Sequence, residues 1–224
     1  MLRREDTELA ESWLDGALAR FTADNDDLVL QTRSLLLAIV ADGPRHARLA
    51  NTLSMLEHIG SHKIMTTQHG SDIDQPTLKH VHEEAGHAYF MKRQAEKIAQ
   101  RPLEYVDDDL LAPAWARMYF QRLEAAMLRT LAQQRNARAV YLYMSMIVEL
   151  RALWFYGLYQ HTLQRAHHPL SLKRLLGEEQ SHLGDVAHRL EMAGELSDAR
   201  TAKLVGCEKT LFGRLLAAMQ RAVA

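Results

Sequence analysis

Glu83-Glu84-Ala85-Gly86-His87 has a counterpart later in the chain, Glu178-Glu179-Gln180-Ser181-His182, and these two segments decide the fold. In each, a histidine follows the second glutamate by three positions. On an α-helix that spacing puts carboxylate and imidazole on one face, where both reach a single point in a bundle core. A lone Glu-x-x-His arises easily by chance, but a doubled glutamate at both pairs is a much rarer coincidence. Each pair is also preceded, about one helical hairpin earlier, by a glutamate in a helical run: Glu57 before the first and Glu149 before the second. In each half a helix runs to a loop and the next returns antiparallel. The single Glu then meets the Glu-x-x-His at nearly the same height.

The remaining sequence reads as helix throughout. Leu and Ala dominate over Val and Ile, which favours helices over strands. Two leading helices are expected, about Arg4 to Phe21 and Asp27 to Val40. A third runs from about Arg45 to Met65, with Leu49, Leu53, Leu56 and Ile64 near one face. After the polar loop Gln68 to Asp72, Asp74-Gln75-Pro76 opens a helix to about Gln100. Arg101 to Ala112 is a connection containing a short helical turn. From Pro113 to Arg165 the helical pattern is unbroken, but one helix of that length would span roughly 80 Å. A break is therefore placed near Gln134-Arg135-Asn136-Ala137. Pro169 is expected to start the next helix, to Met192, and Ser197-Asp198 to cap a last one to about Arg221.

Composition excludes several classes. With 47% hydrophobic and 25% charged residues, the 224-residue chain is neither disordered nor collagen-like. Lys and Arg number 27 against 28 Asp and Glu, a balance that argues against nucleic-acid and anionic-membrane partners. The longest apolar run, Leu35 to Ala41, is too short to span a bilayer. The start, Met1-Leu2-Arg3-Arg4-Glu5-Asp6, lacks an apolar signal core, so a cytoplasmic protein is expected. A single cysteine, Cys207, excludes an internal disulfide framework and a cysteine-based zinc site, and it reads as a small core residue. One helical domain over 1–224 is expected, with leading helices in 1–44, the bundle in 45–192 and a trailing helix in 193–224.

Four carboxylates and two imidazoles converging in a helical core are what two divalent cations require. Without metal, the site would crowd like charges out of water. The oxygen-rich donor set suits Fe or Mn. One Glu from each of two helices plus Glu-x-x-His from the other two is the dinuclear carboxylate pattern of helical bundles. On these residues the sequence resembles the ferritin-like di-iron carboxylate superfamily, its Glu-Glu-x-x-His pairs looking most like rubrerythrin-type proteins. The resemblance covers roughly residues 45 to 192. It implies a four-helix bundle with a long crossover and metal ligands at Glu57, Glu84, His87, Glu149, Glu179 and His182, holding two Fe ions (or Mn) per chain. The sequence departs from rubrerythrins in lacking a rubredoxin-type cysteine module. It also has an extra crossover helix around Ala114 to Leu131 and extra N- and C-terminal helices.

Around this core lie residues with two readings. Glu83 and Glu178 are supporting or surface groups, with a metal-facing alternative, and His80 shares a face with Glu84 and His87, as a supporting group or a seventh ligand. Asp185, one turn beyond His182, either orients it or faces water. Tyr156 either packs in the core or lines a substrate or electron path. His58 and His62 are a zinc pair or, more commonly, exposed histidines. His82 to His87 looks like a zinc-protease motif, but its histidines are five apart and on different faces. Gly60, Ser61 and Ser145 leave room beside Glu57 and Glu149 for a diatomic or an organic substrate. Asp107-Asp108-Asp109 reads as a solvated turn.

The expected function is a di-iron oxidoreductase activating O2 or peroxide on an unspecified substrate. The alternatives are an iron-handling ferroxidase and a metal-free helical interaction module. A homodimer or small oligomer is expected, because Leu9, Trp13, Leu14 and Leu18 form an apolar stripe that needs a partner surface.

Overall fold

The computed structural model describes residues 15–67, 73–131 and 137–224, and these are helical with no strand among them. Helix α1 occupies residues 15–24. It is followed by α2 (Asp26–Val40), α3 (Gly43–Thr67), α4 (Gln75–Ala99), α5 (Pro113–Thr130), α6 (Ala137–Arg165), α7 (Lys173–Met192) and α8 (Asp198–Val223). The hairpins α3/α4 and α6/α7 form the bundle, while α5 packs on α8 outside it and α2 lies against α6, α3 and α8. This is a ferritin-like four-helix bundle with extensions. No described helix is long and apolar enough to cross a membrane.

Local chemistry sets the starts of α4 and α8. Asp74 caps α4, its carboxylate accepting from Thr77 N at 3.0 Å, and Pro76 sits where a missing N–H costs nothing. Ser197 caps α8 by accepting from Arg200 N. Pro169, however, does not start α7, which begins at Lys173. Leu170 N donates to His168 Nδ1 and Leu172 N to Gln160 Oε1, so side chains hold this segment open until the helix begins. The expected break at Gln134–Ala137 coincides with residues outside the described set and the first residue of α6. The expected loop at 68–72 also lies outside that set.

The long crossover is strapped to α3. Asn51 Nδ2 donates to Glu104 O and Asp109 O, Arg48 Nε donates to Leu110 O, and Leu111 N donates to Thr52 Oγ1 at 2.7 Å. Asp109 is therefore not part of a solvated turn. It is buried, with Arg101 bound to its carboxylate and Glu104 N donating to it. At the other end of the chain, Ala17 and Phe21 are buried and Leu18 packs on the same core, so this part of the leading stripe is covered by its own bundle. Leu9, Trp13 and Leu14 lie outside the described residues.

Helix α6 is the most enclosed. Its interior includes Tyr143, Met146, Ile147, Leu150, Phe155 and Tyr159, as expected of a helix apolar nearly all round. The Tyr159 hydroxyl hydrogen-bonds His46 Nε2 at 2.5 Å, and His168 packs edge-on to His46 at 4.6 Å between ring centroids. Burial, reinforced by His168, lowers the His46 pKa to about 4. The folded state therefore prefers neutral His46, and this contribution to stability is present above the unfolded value of 6.5 and lost as pH falls toward 4. His46→Gln should remove about 3 kcal/mol of the acid-induced loss between those limits. Urea unfolding of both proteins across pH 4 to 7 measures it, and parallel pH profiles would contradict it.

Candidate metal centre

Each bundle helix contributes to one buried cluster at mid-height. From α4, His80, Glu84 and His87 stand at i, i+4 and i+7, hence on one face. Helix α7 presents Glu179 and His182, α3 presents Glu57 and α6 presents Glu149. Two groups of four result, each with donor atoms within 4.8 Å of one another: His80, Glu84, Glu149 and His182, then Glu57, Glu84, His87 and Glu179. The six residues singled out from sequence are brought together, His80 joins them, and Glu84 belongs to both groups. Both clusters can coordinate metal and resemble di-iron carboxylate sites.

The distances show two carboxylates placed between the groups. Glu84 Oε1 lies 3.6 Å from His80 Nε2, from His87 Nδ1 and from His182 Nδ1. Glu179 turns one oxygen to each side, Oε1 3.3 Å from His87 Nδ1 and Oε2 3.2 Å from His182 Nδ1. His80 Nε2 is 3.0 Å from Glu149 Oε1, and its Nδ1 faces the Tyr141 hydroxyl at 3.2 Å. Tyr156 donates to Glu57 Oε1, so this buried side chain is both packed in the core and tied to the cluster.

The first glutamate of each pair braces the histidine of the other helix. His182 Nε2 lies 2.8 Å from Glu83 Oε2, and His87 Nε2 lies 3.0 Å from Glu178 Oε2. Lys79 and Arg174 pair with these outer carboxylates, at 3.3 Å and 2.9 Å. A proton on each Nε2 satisfies Glu83 and Glu178 and turns the Nδ1 lone pairs inward, the arrangement that orients imidazole ligands. Asp185 has no part in this brace. It is exposed, and Glu83 holds His182 instead. His58 and His62 are also exposed, His58 stacking on Tyr105.

Electrostatics indicate what the centre accommodates. Burial, then the charges of Glu84 and Glu179, push the Glu57 carboxyl well above its ordinary range. Glu149 is raised likewise by burial, Glu179 and Glu84. Burial opposes protonation of His87, yet Glu179 and Glu84 push it up to about 12. Glu84 Oε1 and His87 Nδ1 are buried without a hydrogen-bond partner. Unpaired buried polar atoms are costly, and these two lie 3.6 Å apart. A cation there would satisfy both and neutralise the carboxylates, so the residues present fit a pair of metal ions.

Of the cavities lined by cluster residues, two touch Glu84, Glu149, Phe120 and Val148. The first, of about 50 Å³, is bounded by Gly60, Ile64, Met144 and Ser145. The second, of about 80 Å³, touches all four carboxylates and is walled by Leu53, Leu56, Phe155, Phe212, Leu215 and Met219. Gly60 and Ser145 thus lie at an open side, as their size suggested. Ser61 does not, because its hydroxyl donates to His58 O within its own helix. A Cβ at Gly60 would stand 3.4 Å from Glu84 Oε2.

Compared with protein-family models, curated proteins and solved structures, the chain finds no match.

The bundle and its donor set accordingly rest on their own geometry, consistent with the ferritin-like superfamily in general. Sequence reasoning missed one feature beside the site. Arg151 and Glu208 form a buried pair, Nε to Oε1 at 2.9 Å and Nη2 to Oε2 at 2.6 Å, with Tyr119 donating to the same carboxylate. The available signal was charge inside two largely apolar stretches, Arg151 beside Glu149 in Ile147–Phe155 and Glu208 beside Lys209 in Leu204–Phe212.

Proposed function

We propose that the chain is a non-haem di-iron, or iron/manganese, oxidoreductase that uses O2 or peroxide as its oxidant. The observation that carries this reading is the pair of unsatisfied atoms, Glu84 Oε1 and His87 Nδ1, at the junction of two four-residue donor groups. Metal ions bound there would supply the electrons for reducing an O–O bond. In this reading Glu57, Glu84, His87 and Glu179 would hold one ion and His80, Glu84, Glu149 and His182 the other, with Glu179 also near His182. Glu83 and Glu178 hold the imidazole protons away from the centre. Tyr156 donates to Glu57 and limits how far that carboxylate can swing.

An oxidoreductase is preferred over an iron-handling ferroxidase because of the walls. The cavity that touches all four carboxylates is otherwise walled mainly by apolar and aromatic side chains, which suit a diatomic or organic molecule better than a hydrated cation. The described acidic run at Asp107–Asp109 is already committed, Asp107 to Arg117 and Asp109 to Arg101.

Anaerobic purification followed by metal analysis tests the reading, and about two ions per chain are expected. His80→Ala separates a seven-ligand set from six. It should lower bound metal toward one ion per chain, because the second ion loses an imidazole 3.0 Å from Glu149. Two tightly held ions in that variant would return His80 to a supporting role. A protein that binds no iron or manganese would leave the helical interaction module as the better reading.

A further inference from the structure

We propose that the cavity between the outer faces of α4 and α7 binds a small organic carboxylate with an apolar body the size of an aromatic ring, its charge taken by Arg93. The site lies outside the metal centre and does not depend on the oxidoreductase reading.

This cavity measures about 320 Å³, against about 50 and 80 Å³ for the two that touch Glu84 and Glu149. Helix α4 lines it with Gly86, Tyr89, Phe90 and Arg93, and α7 contributes Leu175. Of the cluster donors only His87 is in its wall, and the Nε2 of that ring is engaged by Glu178. A ligand here is therefore kept apart from the inner carboxylates. Gly86 points to a use for the space. It lies inside α4, where glycine weakens a helix relative to alanine. Its φ is not positive, and a Cβ would meet nothing within 4 Å. Neither backbone conformation nor crowding calls for glycine, so the effect of the missing side chain is to leave the cavity open.

Charge selects the ligand. The two carboxylates in the wall are already matched, Glu83 by Lys79 and His182, and Glu178 by Arg174 and His87. Arg93 is the remaining cation of the wall, and no carboxylate among the described residues pairs with it. Its guanidinium lies over the Tyr89 ring instead, 5.6 Å from the centroid. A guanidinium fork suits one carboxylate, in paired hydrogen bonds. A second negative charge on the ligand would face Glu83 and Glu178 with no free cation to offset it. Tyr89, Phe90 and Leu175 give an apolar body its surface. Size follows from the volume. An engineered apolar cavity of roughly 150 Å³ holds benzene, so about twice that space takes about a dozen heavy atoms.

Three probes test this on the as-purified protein by calorimetric titration and ligand-observed NMR. Phenylacetate supplies both ring and charge, phenylacetamide keeps the shape without the charge, and acetate keeps the charge without the ring. Phenylacetate should bind at a single site, tighter than acetate. Its preference over the amide should be about fivefold, the upper end for an ion pair at an exposed arginine. Gly86→Leu fills the cavity with a good helix former in open space, so the variant should fold and keep its metal while losing phenylacetate binding at least about tenfold. Arg93→Gln should make acid and amide bind alike. It alters only an exposed side chain, so it tests the charge independently of the packing at Gly86. No saturable binding of phenylacetate, equal affinity for the amide or for acetate, or binding that survives Gly86→Leu would each overturn the proposal. So would an acid preference that persists in Arg93→Gln. Binding that survives both substitutions would place the carboxylate elsewhere, the metal centre included. The two readings fail separately. A metal-loaded protein inert to O2 and peroxide that still prefers phenylacetate loses only the oxidoreductase reading, and one that reacts with O2 without binding phenylacetate loses only this site.

Discussion

Replacing both Glu84 and Glu179 by alanine should take the protein from about two bound metal ions per chain to nearly none. Glu84 is the one residue common to both donor groups, and Glu179 faces His87 with one oxygen and His182 with the other. Removing the pair leaves Glu57 and Glu149 as the remaining carboxylates, on opposite sides of the cluster. Neither resulting set has the charge to hold a divalent ion against water. The effect on stability runs the other way from an ordinary core truncation. Metal-free wild-type protein must keep four carboxylates together out of water, whereas the variant keeps two. Chelation should therefore destabilise the wild type strongly, by ~4 kcal/mol where the metal had been present at about a thousand times its dissociation constant. The same treatment should hardly change the variant. Metal analysis together with thermal unfolding, with and without chelator, measures both effects. Near-stoichiometric metal in the double variant would sink the ligand assignment.

The part of this centre that was legible from sequence is the part encoded within single helices. A glutamate and a histidine three apart share a face whatever the rest of the chain does, so the pairs Glu84/His87 and Glu179/His182 could be read directly. His80 extends the same face by one more turn, and the sequence left it as a supporting group or a seventh ligand. What the pattern does not carry is the register between helices. That Glu83 reaches across to His182, and Glu178 to His87, depends on how α4 and α7 are set against each other. The same limit explains Asp185, plausible by spacing from His182 yet exposed at the α4/α7 seam, where Glu83 of α4 takes the imidazole instead. The Arg151–Glu208 pair joins α6 to α8, and Asn25 completes it from the end of α1. Three segments remote in sequence meet there, and only the charges inside apolar runs marked two of them. The crossover was legible as a connection, but not that Arg48, Asn51 and Thr52 anchor it to α3. Polar residues on a helix look solvent-facing until a loop folds over them.

Narrowing the smaller cavity should slow oxidation of the iron-loaded, reduced protein while leaving the metal in place. Ser145→Val is the substitution of choice. Ser145 is buried at the cavity wall and is four residues before Glu149, and its hydroxyl position becomes two methyl groups. That consumes much of a space of only about 50 Å³ without the overpacking that a longer side chain would cause. Gly60→Ala approaches from the opposite wall, its new methyl 3.4 Å from Glu84 Oε2 and 4.0 Å from Phe120 Cζ, an ordinary contact that leaves the carboxylate where it is. A leucine at 60 would press on Glu84 itself and confuse access with ligation. Neither Ser145 nor Gly60 offers a donor atom to the cluster, so both variants should retain about two ions per chain. The expected slowing is at least about tenfold for Ser145→Val, a barrier increase of ~1.4 kcal/mol, and smaller for Gly60→Ala. Ser61→Ala is the control, because Ser61 spends its hydroxyl on His58 O and does not line the cavity. Stopped-flow absorbance after mixing with O2 gives the rates. Unchanged oxidation in Ser145→Val would assign oxygen entry to the larger cavity next to Arg151, and reduced wild-type protein inert to both O2 and peroxide would end the oxidoreductase reading.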